Sequence, residues 1–178
     1  MADNTGLFDL SGRSALVTGA AGGIGSAVAE ALAHAGAAVL VTDVDGAAAA
    51  AVAEKISATG ERADSAVLDV RDRASADAAA ARAAALTGGK LHILVNNAGI
   101  IAPDMFENLQ EEAFRRIVDI HLMGAFHCAQ AALPFLPTDG TGRIINVTSS
   151  VKHRRHPRPG ELLRGQGGHH RPDEVPGA

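Results

Sequence analysis

Short segments rich in β-branched residues alternate with longer alanine-rich segments along the first 150 residues, and this alternation limits the fold more than any other feature. The short segments predict strands at 14–18, 38–42, 65–68, 91–95 and 143–147. The longer ones predict helices at about 23–34, 46–57, 75–85 and 107–135, the last broken near Pro134. Apolar strands separated by helices indicate a parallel sheet covered on both faces. Right-handed crossovers then make it a doubly wound α/β sheet.

The composition is that of an ordinary globular domain, with 47% hydrophobic and 20% charged residues among 178. A net charge of −4 gives no sign of a nucleic-acid partner. No apolar stretch reaches the roughly 18–20 residues that span a bilayer, and no signal-peptide pattern is visible. The single cysteine, Cys128, fits a reducing compartment and is predicted to be a buried helix residue. We therefore expect a soluble, cytoplasmic protein without a nucleic-acid or membrane partner.

Residues 151–178 differ in composition from the rest of the chain. They hold four of the eight histidines and four of the seven prolines, and their charge is +3 against −7 for the remainder. Their few apolar residues follow neither a helical nor a strand period, so we expect a folded domain over 1–150 and a disordered tail over 151–178. The alternative is a zinc site on the tail histidines His153, His156, His169 and His170. Adjacent histidines without a scaffold make a poor closed site, and we expect no metal.

A glycine-rich loop joins the first predicted strand to the first predicted helix. Gly19, Gly23 and Gly25 permit a tight turn and the close approach of a pyrophosphate, which then meets free N–H groups at the helix N-terminus. Asp43 ends the second strand, where its carboxylate can accept hydrogen bonds from both ribose hydroxyls of a dinucleotide. A helix cap or a turn residue is the alternative role for Asp43. No basic residue lies in the loop and no arginine follows Asp43, so the sequence predicts NAD, with NADP disfavoured.

The loop spacing TGxxxGxG differs from the GxGxxG of classical dehydrogenases and resembles that of the short-chain dehydrogenase/reductase family. Three more segments resemble this family: Asp69 and Val70, residues 96–99 (NNAG) and residues 146–149 (NVTS). The resemblance implies a Rossmann fold with five of the family's seven strands. It also implies that Asp69 and Val70 contact adenine and that residues 96–99 approach the nicotinamide ribose. The predicted cofactor-binding residues are Thr18, Gly19, Gly23, Ile24, Gly25, Asp43, Asp69, Val70, Asn97, Ala98 and Gly99.

The family moves a hydride between nicotinamide and a small-molecule carbonyl or secondary alcohol, using a serine, a tyrosine, a lysine and an asparagine. The resemblance places Ser149 at the serine position and His121 at the asparagine position, where a histidine holds a water or is simply a helix residue bonded to its neighbours. Leu162 stands where the tyrosine is expected and Gln166 where the lysine is expected, and the chain contains no tyrosine. A free tyrosine titrates near about 10, so the family depends on the lysine to lower that pKa. Proton transfer of the family kind is not expected from this chain.

The genetic code permits the missing segment in another reading frame. Codons for residues 161–166 (ELLRGQ), read one base later, allow Asn-Tyr-Ser-Ala-Ala-Lys, which is the family's YxxxK segment in register with Ser149. The flanking codons also allow sequences that fit the family's next helix. We hypothesise a one-base frameshift close to residues 150–153, in the gene or in its reading.

Three functions remain open on the sequence. The first is an NAD(P)-dependent oxidoreductase by lineage, in a truncated and inactive chain. The second is an NAD-binding pseudoenzyme, and the third is an interaction module that uses the basic tail. The missing strands leave the fifth strand as an exposed edge and remove a helix through which the family's homo-oligomers pair. We therefore expect marginal stability, weak or no NAD binding, and no family-type oligomer.

Overall fold

Five parallel strands form one sheet in the computed structural model, which describes residues 8–101 and 107–148. The strands are β1 (Ser14–Thr18), β2 (Ala38–Asp43), β3 (Ala63–Val67), β4 (Ile93–Asn96) and β5 (Arg143–Asn146). Their order is β3-β2-β1-β4-β5, so the chain runs outward on one side of β1 and then on the other. This confirms the predicted doubly wound sheet. The predicted tail and Ser149 lie outside the described residues.

The strand register brings the predicted site residues to one edge of the sheet. Thr18 at the end of β1 pairs with Thr42 of β2, and Val17 pairs with Val95 of β4. The residues that follow these strands therefore emerge side by side at the carboxyl edge. The strand order reverses between β1 and β4, and ligands of doubly wound sheets bind at such a switch point.

Among the described residues, five α-helices connect and cover the strands. They are α1 (Gly23–His34), α2 (Gly46–Ser57), α3 (Arg73–Ala85), α4 (Glu111–Val118) and α5 (Gly124–Ala132). The carboxylates of Asp45 and Asp72 cap α2 and α3 by accepting hydrogen bonds from backbone N–H groups of the first turn. By contrast, α1 begins after Gly22 without a side-chain cap. Within the described residues, no helix has the length and apolar character that a membrane crossing needs.

The single helix predicted over 107–135 is wrong in detail. A π-helical turn at Asp119–Met123 separates α4 from α5, and a 3-10 turn at Leu133–Phe135 follows α5. The break near Pro134 was expected, because a proline removes a helical hydrogen bond. The π turn was not, because five residues of ordinary helical composition carry no signal for it.

Apolar side chains pack on both faces of the central strands, as predicted. Leu16 and Leu94 lie on the face covered by α3 and α5, whereas Val17 and Val39 lie on the face covered by α1 and α2. Cys128 of α5 belongs to the first cluster and is 1% exposed, which confirms the prediction for it. Burial raises the pKa of its thiol to about 11.

The two edge strands differ from the central ones. Among the described strands β5 lies at one edge of the sheet, and its Ile144 and Ile145 are 38% and 46% exposed. The third strand begins at Ala63 and not at the predicted residue 65. Ala63 and Asp64 pair with Val39 and Leu40 of β2, although the polar residues of β3 do not show the pattern of a buried strand. One of them, Asp64, forms a salt bridge with Arg82 of α3 at 2.8 Å. The fourth strand begins two residues later than predicted, since Leu91 bonds through its N–H to the carbonyl of Phe135.

Lowering the pH below about 6.5 is expected to destabilise the fold through His92. The Nδ1 atom of His92 accepts a hydrogen bond from the Ser14 N–H at 3.2 Å, which a protonated Nδ1 cannot do. Burial, and then the charge of Arg13, lower the pKa of His92 from its ordinary value of 6.5. The unfolded chain therefore takes up this proton first as the pH falls, and the free energy of unfolding decreases from pH 6.5 down to the pKa of the folded state.

His92→Asn provides the matched control, because its Oδ1 can accept the same hydrogen bond without titrating. We expect the thermal midpoint to fall less between pH 7 and pH 5 in this variant than in the unaltered chain. Equal losses of thermal midpoint in the two proteins would assign the acid sensitivity to other histidines.

Candidate functional site

Two glycines allow the loop after β1 to pack closely on its neighbours. Gly19 has a φ of +62°, and a Cβ on it would lie 2.7 Å from the Cα of Ala98. A Cβ on Gly25 would collide with the carbonyl oxygen of Gly19 and lie 2.6 Å from Nδ2 of Asn97. Any side chain at either position would push apart the glycine loop, α1 and the loop after β4.

Thr18 and Asn97 join the loops that follow β1 and β4. The Thr18 hydroxyl accepts hydrogen bonds from the N–H groups of Asn97 and Ala98 at 3.1 and 3.0 Å. In return, the Asn97 side-chain amide donates to the carbonyl groups of Thr18 and Gly19 at 2.9 and 3.0 Å. Thr18 is 1% exposed, so it lies beneath the surface and holds the two loops in position.

The N-terminus of α1 is open, in contrast to the crowded glycines beside it. Gly22 precedes the helix in an extended conformation and provides no side-chain cap. A Cβ on Gly23 would meet no atom within 4 Å. Packing within the protein therefore gives no reason for a glycine at position 23, whereas a ligand against the free N–H groups of the first turn does. A pyrophosphate fits this observation.

The carboxylate of Asp43 lies beside this loop. Its Oδ2 accepts a hydrogen bond from the Ala21 N–H at 3.1 Å, and its Oδ1 accepts one from the Asp45 N–H at 3.1 Å. Asp43 therefore supports the turn, while Asp45 caps α2. An ionised carboxylate offers about four lone-pair positions, so two such bonds leave room for further donors.

The loop after β3 contributes a charged pair that the sequence did not reveal. Arg71 donates through Nε to Oδ1 of Asp69 at 3.0 Å and through its terminal nitrogen to Oδ2 at 2.6 Å. This guanidinium lowers the pKa of Asp69, outweighing the effect of partial burial. Asp69 also accepts a hydrogen bond from the Arg71 N–H at 3.0 Å, which closes a turn at this position.

His121 lies in the π-helical turn and contacts the loop after β4. Its Nε2 lies 2.9 Å from the carbonyl oxygen and 3.0 Å from the nitrogen of Ile100. A Cβ on Gly99 would lie 2.6 Å from Cε1 of the ring. The imidazole therefore packs closely against a glycine and can bond Ile100 in either tautomer. Whether it also holds a catalytic water stays a prediction.

The glycine loop, the loop after β3 and the loop after β4 line one cleft of about 450 Å³ at the carboxyl edge of the sheet, and His121 is not among its lining residues. All predicted cofactor-binding residues except Thr18 line it. The sequence analysis missed six further lining residues, which are Gly22, Val44, Leu68, Arg71, Arg116 and Ile120. The only sequence signal for most of them is that they adjoin a predicted residue, because the cleft is built from segments that lie far apart in the chain. Within the described part of the chain, no group of three His, Cys, Asp or Glu residues could hold a metal.

Comparison with known proteins identifies the family. The short chain dehydrogenase family matches residues 13–159, which include all five strands and the whole cleft. The chain belongs to this family. The doubly wound sheet agrees with the fold that the resemblance implied.

The matching relatives are longer proteins than this chain. The 2-dehydro-3-deoxy-L-rhamnonate dehydrogenase (NAD(+)) of Sphingomonas sp. (strain SKA58) is 36% identical over 82% of this chain and 57% of its own length. The cis-4-hydroxycyclohexanecarboxylate dehydrogenase of Sinomonas cyclohexanicum is 44% identical over 77% and 55%. A gluconate 5-dehydrogenase from Burkholderia cenocepacia J2315, solved with NADP and tartrate, has a TM-score of 0.75 and 37% identity over 84% and 58%. The chain thus spans little more than half the length of these relatives.

Proposed function

We propose that this chain is the dinucleotide-binding part of an oxidoreductase that acts on a small-molecule carbonyl or secondary alcohol. The cleft carries the proposal, because it joins an uncapped helix N-terminus, the Asp43 carboxylate and two loops at the switch point of the sheet. Family membership supports the same chemistry. When bound, the nicotinamide supplies or accepts the hydride.

Each part of the cleft then has a separate task. The N–H groups at the start of α1 hold the pyrophosphate, Asp43 accepts from the adenosine ribose, and Asp69 and Val70 contact the adenine. Ala98 and Gly99 border the nicotinamide ribose. Ser149 lies outside the described residues, and the family resemblance assigns its hydroxyl to the reacting oxygen.

Titration with NADH tests binding directly. The titration follows the fluorescence of NADH. The chain contains neither tryptophan nor tyrosine, so the protein itself contributes almost no fluorescence. We expect weak but saturable binding, with ADP-ribose competing. No saturation at millimolar concentrations of either ligand would exclude the proposal for this chain.

Asp43→Asn is expected to lower the affinity for NAD by about tenfold and to reduce the preference for NAD over NADP. A hydrogen bond to a charged group contributes about 1.5–3 kcal/mol, and the carboxylate also repels a 2′-phosphate. Calorimetric titration of both dinucleotides measures the ratio of their affinities. The control is Asp45→Ala, which removes the cap of α2 and should lower stability by about 1 kcal/mol without changing that ratio. A lower NAD affinity with an unchanged ratio would show that Asp43 supports only the turn.

A pseudoenzyme that binds NAD without turnover is a second candidate, and one observation favours it. The chain has no tyrosine, and the expected positions of the tyrosine and lysine hold Leu162 and Gln166. An NADH absorbance assay on a panel of carbonyl and alcohol compounds distinguishes the two candidates. NADH binding without reduction of any carbonyl compound or oxidation of any alcohol supports the pseudoenzyme.

A further inference from the structure

A histidine on α5 contacts the backbone of the loop that borders the adenine end of the cleft. Nδ1 of His127 lies 3.0 Å from the carbonyl oxygen of Val70, and the ring is half-buried. A carbonyl oxygen only accepts hydrogen bonds, so Nδ1 carries the proton and donates it. The tautomer of His127 follows from this contact.

The same stretch of helix also contacts the Val70 side chain and the start of α3. A Cβ on Gly124 would lie 2.6 Å from Cγ2 of Val70, so the glycine lets this side chain pack directly on the helix. Gln130, one turn further along α5, accepts a hydrogen bond from Arg73 at the start of α3. The helix therefore holds the loop at its carbonyl, at its side chain and at the helix that follows it.

The remaining backbone groups of this loop bond within the loop itself. The Asp69 N–H donates to Oγ of Ser75 at 3.2 Å, the Arg71 N–H to the Asp69 carboxylate, and the Asp72 N–H to the Asp69 carbonyl at 3.0 Å. Within the described residues, the Val70 N–H has no such acceptor, and Val70 lines the cleft. His127 thus bonds to the carbonyl of Val70, and among the described residues the N–H of the same Val70 has no acceptor, which leaves it available to a ligand.

We propose that His127 is a positioning residue for nucleotide binding, which holds Val70 so that its N–H faces the adenine. The inference rests on the proposed function, because it presumes that the cleft takes an adenine nucleotide. His127 itself does not touch the cofactor, since it is absent from the cleft lining and bonds to the far side of Val70.

Two substitutions of similar shape separate hydrogen bonding from packing. His127→Asn places Nδ2 where Nδ1 now lies and keeps the donor, whereas His127→Leu has the same branching without it. AMP affinity, measured by calorimetry, is expected to fall about fivefold to tenfold in the leucine variant and to be largely restored in the asparagine variant. His34→Asn is the control, because His34 bonds to Glu61 far from the cleft. The affinity for nicotinamide mononucleotide is expected to be equal in all of these proteins.

Amide hydrogen exchange tests the same contact without any ligand. The amides of Arg71 and Asp72 are expected to exchange about tenfold faster in the leucine variant and at the original rate in the asparagine variant, because opening of the loop requires loss of the Val70 contact. Equal exchange in both variants, or equal AMP affinity, would overturn the role of His127. If the unaltered chain binds no AMP, the proposed function fails, and the exchange rates still decide whether His127 holds the loop.

Discussion

A chain read one base later from a point between residues 150 and 153 is expected to transfer hydride at least about 100-fold faster than the present chain. A positioned general acid or base contributes about 10²–10⁴-fold, and the shifted frame allows the tyrosine and lysine that the present frame lacks. The expected positions of both residues lie beyond residue 159, where the match to the family ends. The comparison uses NADH absorbance with the same panel of carbonyl and alcohol compounds for both chains.

Ser149→Ala in the restored chain is the control for chemistry of the family type. It should remove most of the regained turnover while leaving NADH binding nearly unchanged, because the hydroxyl acts on the substrate oxygen. A restored chain that binds NADH but oxidises it no faster than the present chain would contradict the frameshift hypothesis. So would sequencing that finds the present frame intact, with no one-base difference in sister genes.

Restoring the frame should also raise stability. Among the described strands β5 is the last of the sheet and its isoleucines are exposed, and an exposed apolar edge favours pairing with other chains. The shifted frame allows a helix after the fifth strand, where apolar side chains would cover this surface. A sharper thermal transition in the restored chain would therefore accompany the gain in turnover.

The elements predicted to the residue are those whose signals are local. The bounds of α1 and α2 agree with prediction because a glycine loop precedes α1, the Asp45 cap precedes α2, and turns follow both. The doubly wound parallel sheet followed from the alternation of strands and helices together with the rule of right-handed crossovers. The family resemblance followed from the glycine spacing and from residues 96–99.

Most of the features that sequence could not predict depend on contacts between distant segments. The burial of Thr18 beneath the loop after β4 and the contact of His121 with Ile100 both arise from packing of one segment on another. The Arg71 pair with Asp69 is local, but the residue types alone do not show that the two side chains meet. The same holds for the start of β3. Its polar residues are typical of a loop, and only the structure shows that Asp64 forms a salt bridge with Arg82 of α3. A propensity for strand or helix contains no information about such partners.

Gly25→Ala and Gly23→Ala are expected to have opposite effects on folding and binding. The methyl group at position 25 would collide with Gly19 and Asn97, so the variant should lose about 1–3 kcal/mol of stability or fail to fold. The methyl group at position 23 meets no protein atom, and alanine suits a helix better than glycine by about 1 kcal/mol. Gly23→Ala should therefore be as stable as the unaltered chain or slightly more so.

Ligand binding is the property in which we expect Gly23→Ala to be impaired, although its stability is not. Gly23 lines the cleft, so its added methyl group occupies space that we assign to the pyrophosphate, and ADP-ribose affinity should fall at least about tenfold in a fully folded protein. Urea unfolding measures stability, and calorimetric titration measures affinity. If Gly23→Ala bound ADP-ribose normally, the start of α1 would not be the pyrophosphate site, and the open space at Gly23 would need another explanation. A stable, well-folded Gly25→Ala would show instead that the glycine loop, α1 and the loop after β4 can separate without cost, which the 2.6 Å from this Cβ position to Nδ2 of Asn97 argues against.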